Sequence, residues 1–205
     1  MDKLIKALKE TGEYEDTSYC LLYGNPITPS SVVIFEKAWV FEIAVNAFKN
    51  QMKNLFICVI GIPCHKCINF IKTIKTKKIL YIGDLDPTSF FTFLTLSYAK
   101  RKPNPKDKPK LKINYAGVTL KDYQKYLSAK EESLIKIPEY EKVILNFVEK
   151  FKLQNLMREI EFLKRTGRKV EIEGICRCFK IVQSKKIQEE KIKEFENYLK
   201  VKLKI

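Results

Sequence analysis

Residues Ile79 to Phe91 read ILYIGDLDPTSFF: four apolar residues, a glycine, two aspartates one residue apart, a proline and a second apolar run. The uninterrupted β-branched and aromatic start is that of a buried strand, and the run from Pro87 to Tyr98 has the length of a helix. Asp86 before Pro87 is a sound helix start, a capping carboxylate followed by the residue whose fixed φ suits the first helical position. Taken alone, the GDLDP turn reads first as such a cap. Side chains two apart in an extended chain point the same way, so Asp84 and Asp86 face one spot if the chain stays extended through the turn. Carboxylates held together repel and raise each other's pKa unless a cation lies between them. Oxygen ligands of this kind suit Mg²⁺.

The same unit recurs on either side. Ser31 to Phe35 (SVVIF) and Leu55 to Ile60 (LFICVI) read as buried strands. Lys37 to Lys49 reads as a helix with Val40, Phe41, Ile43, Ala44 and Phe48 on one face, and a second helix opens at Pro63 and carries Ile68, Phe70, Ile71 and Ile74. Lys78 to Ile82 and Lys112 to Val118 are further strands. The alternation predicts an α/β fold: a mostly parallel sheet of four or more strands with helices on both faces. Lys100 to Lys110, KRKPNPKDKPK, is a solvated loop whose prolines forbid a regular helix.

Beyond Val118 the pattern is helical, with Thr119 and Ser133 as caps and an amphipathic helix over Leu153 to Lys164. A last helix runs from Lys185 to Leu199 with Ile192, Phe195 and Leu199 in register, before an alternating VKLKI. The expected division is 1–30 as a helix closed by Gly12 and a connection through Pro26 and Pro29, 31–178 as the α/β domain, and 179–205 as a helical tail.

At 205 residues, 45% hydrophobic, the chain is long enough to bury a core and is not a disordered one. Lysine and arginine outnumber aspartate and glutamate 39 to 24, a formal charge of +15. That surplus points to a polyanion, nucleic acid before an acidic membrane surface, although a Lys/Glu/Ile-rich, heat-adapted composition explains part of it. No apolar run approaches the ~18 residues that span a bilayer, and the glutamates of the last helix disfavour a membrane-surface role. The N-terminal MDKLIKALKETG is no signal peptide. Six irregularly spaced cysteines in a chain of this size suit a reducing, cytoplasmic setting. A single histidine disfavours Ser-His or Cys-His catalysis.

Glu36 gives the aspartates a third partner. It closes the first strand as they close the third, and in a parallel sheet those two strands can be neighbours. FEKAWVFE (Phe35 to Glu42), GIPCHKCINFIK (Gly61 to Lys72), GDLDP (Gly83 to Pro87), YAGVTLKDY (Tyr115 to Tyr123) and NLMREIEFLKRTGRKVEIEGI (Asn155 to Ile175) follow in order. Over Ser31 to Ile175 the chain resembles the Toprim domain of the topoisomerase VI A protein and its meiotic double-strand-break relatives. The first three motifs are also similar to the nuclease component of Wadjet-type plasmid defence systems.

The resemblance implies a Mg²⁺ (or Mn²⁺) site made by Glu36, Asp84 and Asp86. In the topoisomerase relatives the metal steadies a DNA phosphate while a tyrosine on a separate winged-helix domain attacks. Residues 1–30 are too few for that domain, so Tyr14, Tyr19 and Tyr23 read as packing residues. A partner protein is then expected to supply the winged-helix tyrosine or an ATPase domain, with a homodimer as another arrangement. Without the tyrosine, such a site can still hydrolyse phosphodiesters, water attacking phosphorus with Glu36 as general base. The lysines of the second connection (Lys72, Lys75, Lys77 and Lys78) and Lys100, Arg101, Lys102, Lys106, Lys108 and Lys110 would hold the backbone without reading sequence, unless they are ordinary solvated surface. The two functions carried forward are a Mg²⁺-dependent DNA-cleaving enzyme, alone or as half of a split complex, and a non-catalytic DNA-binding or assembly module. As a side reading, Cys64 and Cys67 with Cys176 and Cys178 could make a four-thiolate zinc site; Cys20 and Cys58 read as small buried hydrophobes.

Overall fold

A computed structural model of the chain describes residues 20–24, 27–49, 53–127, 134–177 and 185–204. The apolar runs become a five-stranded sheet. Its strands are β1 (Leu21–Gly24), β2 (Ser31–Phe35), β3 (Asn54–Cys58), β4 (Ile79–Ile82) and β5 (Ile113–Tyr115), in the spatial order β1-β3-β2-β4-β5. β2 lies at the centre, parallel to β3 on one side and β4 on the other, and β5 continues the parallel set. All residues of β2 and β4 are buried, as strands covered on both faces require. The first and third expected strands are therefore direct neighbours, with Phe35 opposite Ile82.

The crossovers are α1 (Ala38–Phe48), α2 (His65–Thr73) and α3 (Pro87–Tyr98). α3 is buried along its whole length, because a second layer covers it. This layer comprises α4 (Leu120–Tyr126), α5 (Glu139–Glu149), a 3₁₀ turn (Gln154–Leu156), α6 (Met157–Thr166) and α7 (Ile172–Arg177), with a ribbon of β6 (Ile135–Lys136) and β7 (Arg168–Lys169). Phe91 meets Phe147 at 5.9 Å and Tyr98 meets Phe151 at 5.2 Å between ring centroids.

The last helix, α8 (Lys185–Leu203), is part of this body. Phe195 stacks on Trp39 of α1 at 5.4 Å, and Leu199 and Leu203 are buried. It runs on through most of the VKLKI segment. Among the described residues no helix is long and apolar enough to cross a membrane.

Three local features depart from the sequence expectation. β1 was expected as connection, yet it pairs antiparallel with β3 at the sheet edge, and Gly24, at φ +110°, lets the turn press against the Asn54 carbonyl. α2 begins at His65, not Pro63, because Cys64 stays extended and its sulfur accepts the Cys67 N–H at 3.4 Å as the cap. The helix expected over Leu153 to Lys164 is a 3₁₀ turn leading into α6, which Gly167 ends in a left-handed conformation. Thr119 caps α4 as expected, in a reciprocal box with Asp122. The expected helix before Gly12, and Ser133, lie outside the described residues.

Candidate metal centre

The parallel pairing of β2 with β4 brings two strand ends side by side. The Glu36 N–H donates to the Ile82 carbonyl at 3.1 Å, fixing the glutamate next to the Gly83-Asp84 turn. Its own carbonyl accepts the Gly61 N–H at 3.1 Å from the G-x-P turn after β3. Gly83 makes the room: a Cβ there would lie 2.7 Å from Glu36 Oε2 and 2.1 Å from Ser89 Oγ. The Tyr81 hydroxyl donates to Glu36 Oε2 at 2.9 Å and lies 3.2 Å from Ser89 Oγ. Burial, then the facing Glu36, holds the Tyr81 phenol well above its ordinary pKa, so it remains a donor.

Extended geometry does persist through the D-x-D. Leu85 exchanges two backbone hydrogen bonds with Val170, at 2.9 and 3.0 Å, and its side chain is fully buried. Asp84 and Asp86 consequently turn to the opposite side, into a cleft of about 200 Å³ that Glu36 also lines. Asp84 Oδ1 accepts the Ile172 N–H at 2.8 Å, and its Oδ2 pairs with Lys37 Nζ at 2.8 Å. Asp86 Oδ1 caps α3 by accepting the Ser89 N–H at 2.6 Å, while Oδ2 lies 3.7 Å from Lys169 Nζ. Cap and cleft residue are thus one and the same. Burial pushes the Asp86 carboxyl up to about 6, against the pull of Lys169. Burial alone would lower the Lys169 ammonium; Asp86 and Glu141 more than reverse this.

Sequence reasoning missed half of this cleft. Lys37, Lys169, Glu141 and Glu171 line it with the three expected acids. Lys169 and Glu171 lie within the GRKVEIE segment, whereas nothing local marks Glu141. Five carboxylates against two ammonium groups leave a surplus of negative charge that a further cation would offset, as would a proton on the buried Asp86. Among the described residues no three His, Cys, Asp or Glu side chains are placed so as to hold a metal ion; at this cleft Lys37 pairs with Asp84, and Lys169 lies among Asp86, Glu141 and Glu171. The donor set is nevertheless all hard oxygen on rigid strand and helix ends, which fits a Mg²⁺-type ion.

The other expected residues lie elsewhere. α3 starts at the cleft and runs about 18 Å away from it, at ~1.5 Å per residue. Lys100, Arg101, Lys102, Lys106, Lys108 and Lys110 follow its far end, where β5 begins beside Ile79. Lys72 sits at the corresponding far end of α2, before β4. These basic residues therefore lie toward the opposite end of the strands from the acids. Lys100 is also paired with Asp107 at 2.6 Å.

Of the zinc candidates, Cys64 and Cys67 are buried at the start of α2, the Cys64 sulfur capping the helix by accepting the Cys67 N–H. Cys176 is in α7 and Cys178 lies outside the described residues. Cys58 is fully buried, as expected. Tyr23 packs against the core from β1, while Tyr14 and Tyr19 lie outside the described residues.

A first consequence concerns Tyr81. Tyr81→Phe should destabilise the fold by about 1 kcal/mol by removing the buried hydrogen bond between its hydroxyl and Glu36. Urea denaturation measures it, and an unchanged midpoint would show the bond to be energetically idle.

A mostly parallel α/β sheet ending in an acid on one strand and D-x-D on its neighbour defines a Toprim-like domain. A search of curated proteins finds no match to the chain, but the family model for the Toprim domain of the topoisomerase 6 A protein and Spo11 matches residues 31–192. The chain belongs to that family.

Proposed function

We propose that the protein is a Mg²⁺-dependent, DNA-acting protein in which Glu36, Asp84 and Asp86 hold a divalent ion against a phosphodiester. One observation carries the reading: acids from two adjacent parallel strand ends open on the same cleft, at the edge of an α/β sheet where ligands bind. A divalent ion there supplies positive charge against the phosphate oxygens and the charge that develops on them. The chain's own groups do the rest. Tyr81 orients Glu36, which is placed to take a proton from the attacking water or hydroxyl. Lys37 beside Asp84 offers a second positive charge to the phosphate. The lysines toward the far end of the strands would bind DNA backbone at a distance from the chemistry. Where the attacking group is a tyrosine, a partner protein or a second copy brings it. Free thiols at Cys20, Cys58, Cys64 and Cys67 suit a reducing, cytoplasmic setting.

Incubating plasmid and single-stranded DNA with Mg²⁺ or Mn²⁺ tests the reading. Cleavage is expected in the wild type and should disappear in both Glu36→Ala and Asp84→Ala, with DNA binding retained. A second reading has its own support. Lys37 and Lys169 already balance Asp84 and Asp86, as they would in a non-catalytic DNA-binding or assembly module that keeps the fold. That reading expects no cleavage with either metal and DNA binding equal to or tighter than wild type in both variants.

A further inference from the structure

The cation that the cleft already contains is a lysine, and its setting is specific. Lys169 Nζ lies 2.7 Å from Glu141 Oε1, 3.7 Å from Asp86 Oδ2 and 3.9 Å from Glu171 Oε1. These acids come from three separate places: the first turn of α5, the cap of α3 and the chain just past β7. Carboxylate oxygens converging from three elements on one point are the donor set that a hard divalent ion takes. Here an ammonium takes it, with only 12% of its side chain exposed. Asp86 has its other oxygen committed to the Ser89 N–H.

Lys37, the cation on Asp84, is about twice as exposed at 25%. A flexible stem at that depth can swing aside and let an ion in; Lys169, pinned by three carboxylates, cannot do so as readily. A second, independent feature points to a ligand at this end of the cleft. Thr88 lines it, is only 7% exposed, and its buried hydroxyl has no hydrogen-bond partner.

We infer that Lys169 stands in the place of a second divalent ion. The cleft then loads a single ion held by Glu36, Asp84 and Asp86, and beyond Asp86 the Lys169 ammonium and the Thr88 hydroxyl receive phosphate oxygen. This inference rests on the metal-centre reading above, and counting ions separates the two.

Mn²⁺ binding to the full chain, followed by electron paramagnetic resonance and calorimetry, gives the count. The wild type should bind one ion, Lys169→Arg one, and Lys169→Met two, since removing the ammonium leaves its three carboxylates to a second ion. Two ions in the wild type, or no gain in Lys169→Met, overturns the inference. No ion in the wild type but one in Lys169→Met upholds Lys169 as a cation surrogate while the metal-centre reading falls. No ion in either overturns both. If Lys169→Met does not fold, Lys169→Gln takes its place, one ion more than in the wild type upholding the inference and an unchanged count overturning it.

Discussion

Replacing Gly117 by alanine should lower the thermal midpoint by about 10 °C, a large effect for a single methyl group. A Cβ at Gly117 would lie 2.3 Å from the Gly83 carbonyl oxygen and 2.7 Å from the Gly83 nitrogen. Both are backbone atoms, so no side chain can rotate out of the way. The strand end that would have to move is held firmly. The Val118 N–H donates to the Gly83 carbonyl at 2.9 Å, the Ala116 N–H to the Tyr81 carbonyl at 2.8 Å, and Ser89 and Glu36 fill the other side of Gly83. Overpacking of this kind costs about 3 kcal/mol when backbone must shift, and each kcal/mol lowers the midpoint of a domain this size by about 2–4 °C. Because the displaced segment carries Asp84, divalent-ion binding should weaken in parallel. Calorimetry decides the point: a midpoint within about 2 °C of the wild type would show that Gly83 and Gly117 approach each other less closely than these distances require.

Asp84→Asn should have the largest functional effect with little loss of fold. The amide keeps an oxygen for the Ile172 N–H, now accepted by Asp84 at 2.8 Å, but loses the charge that faces Lys37 at 2.8 Å. Loss of even an outer-shell partner typically weakens metal binding by about 10- to 100-fold, so losing a direct carboxylate should weaken Mn²⁺ by about 100-fold or more. DNA cleavage should be lost with it. Asp84→Ala should in addition destabilise the fold by about 1–3 kcal/mol, because the buried Ile172 N–H is left without an acceptor. Calorimetric titration of Asp84→Asn is the check, and wild-type affinity for Mn²⁺ would remove Asp84 from the centre.

What could be read from residues alone was what local chemistry dictates. The apolar runs of β2 and β4, the Asp86-Pro87 helix start and the alternation that sends Asp84 and Asp86 one way are all properties of short segments. Glu36 was within reach because parallel sheets offer few neighbour arrangements. The family motifs located the rest of the domain. Lys169 was passed over because its role depends on Glu141, 28 residues away in sequence, with no spacing rule to link them. β1 escaped notice because four residues with exposed Leu21 and Leu22 are a strand only by pairing with β3. Where the basic loop lies relative to the acids was not legible, because composition says nothing of which end of a helix faces them.

That last placement separates two behaviours that usually travel together. With the lysine-rich loop and the carboxylates at opposite poles of the sheet, monovalent salt should govern capture of a polyanion, and divalent ions should govern what happens once it is held. A titration with sodium chloride and one with magnesium chloride would then report on different ends of the molecule.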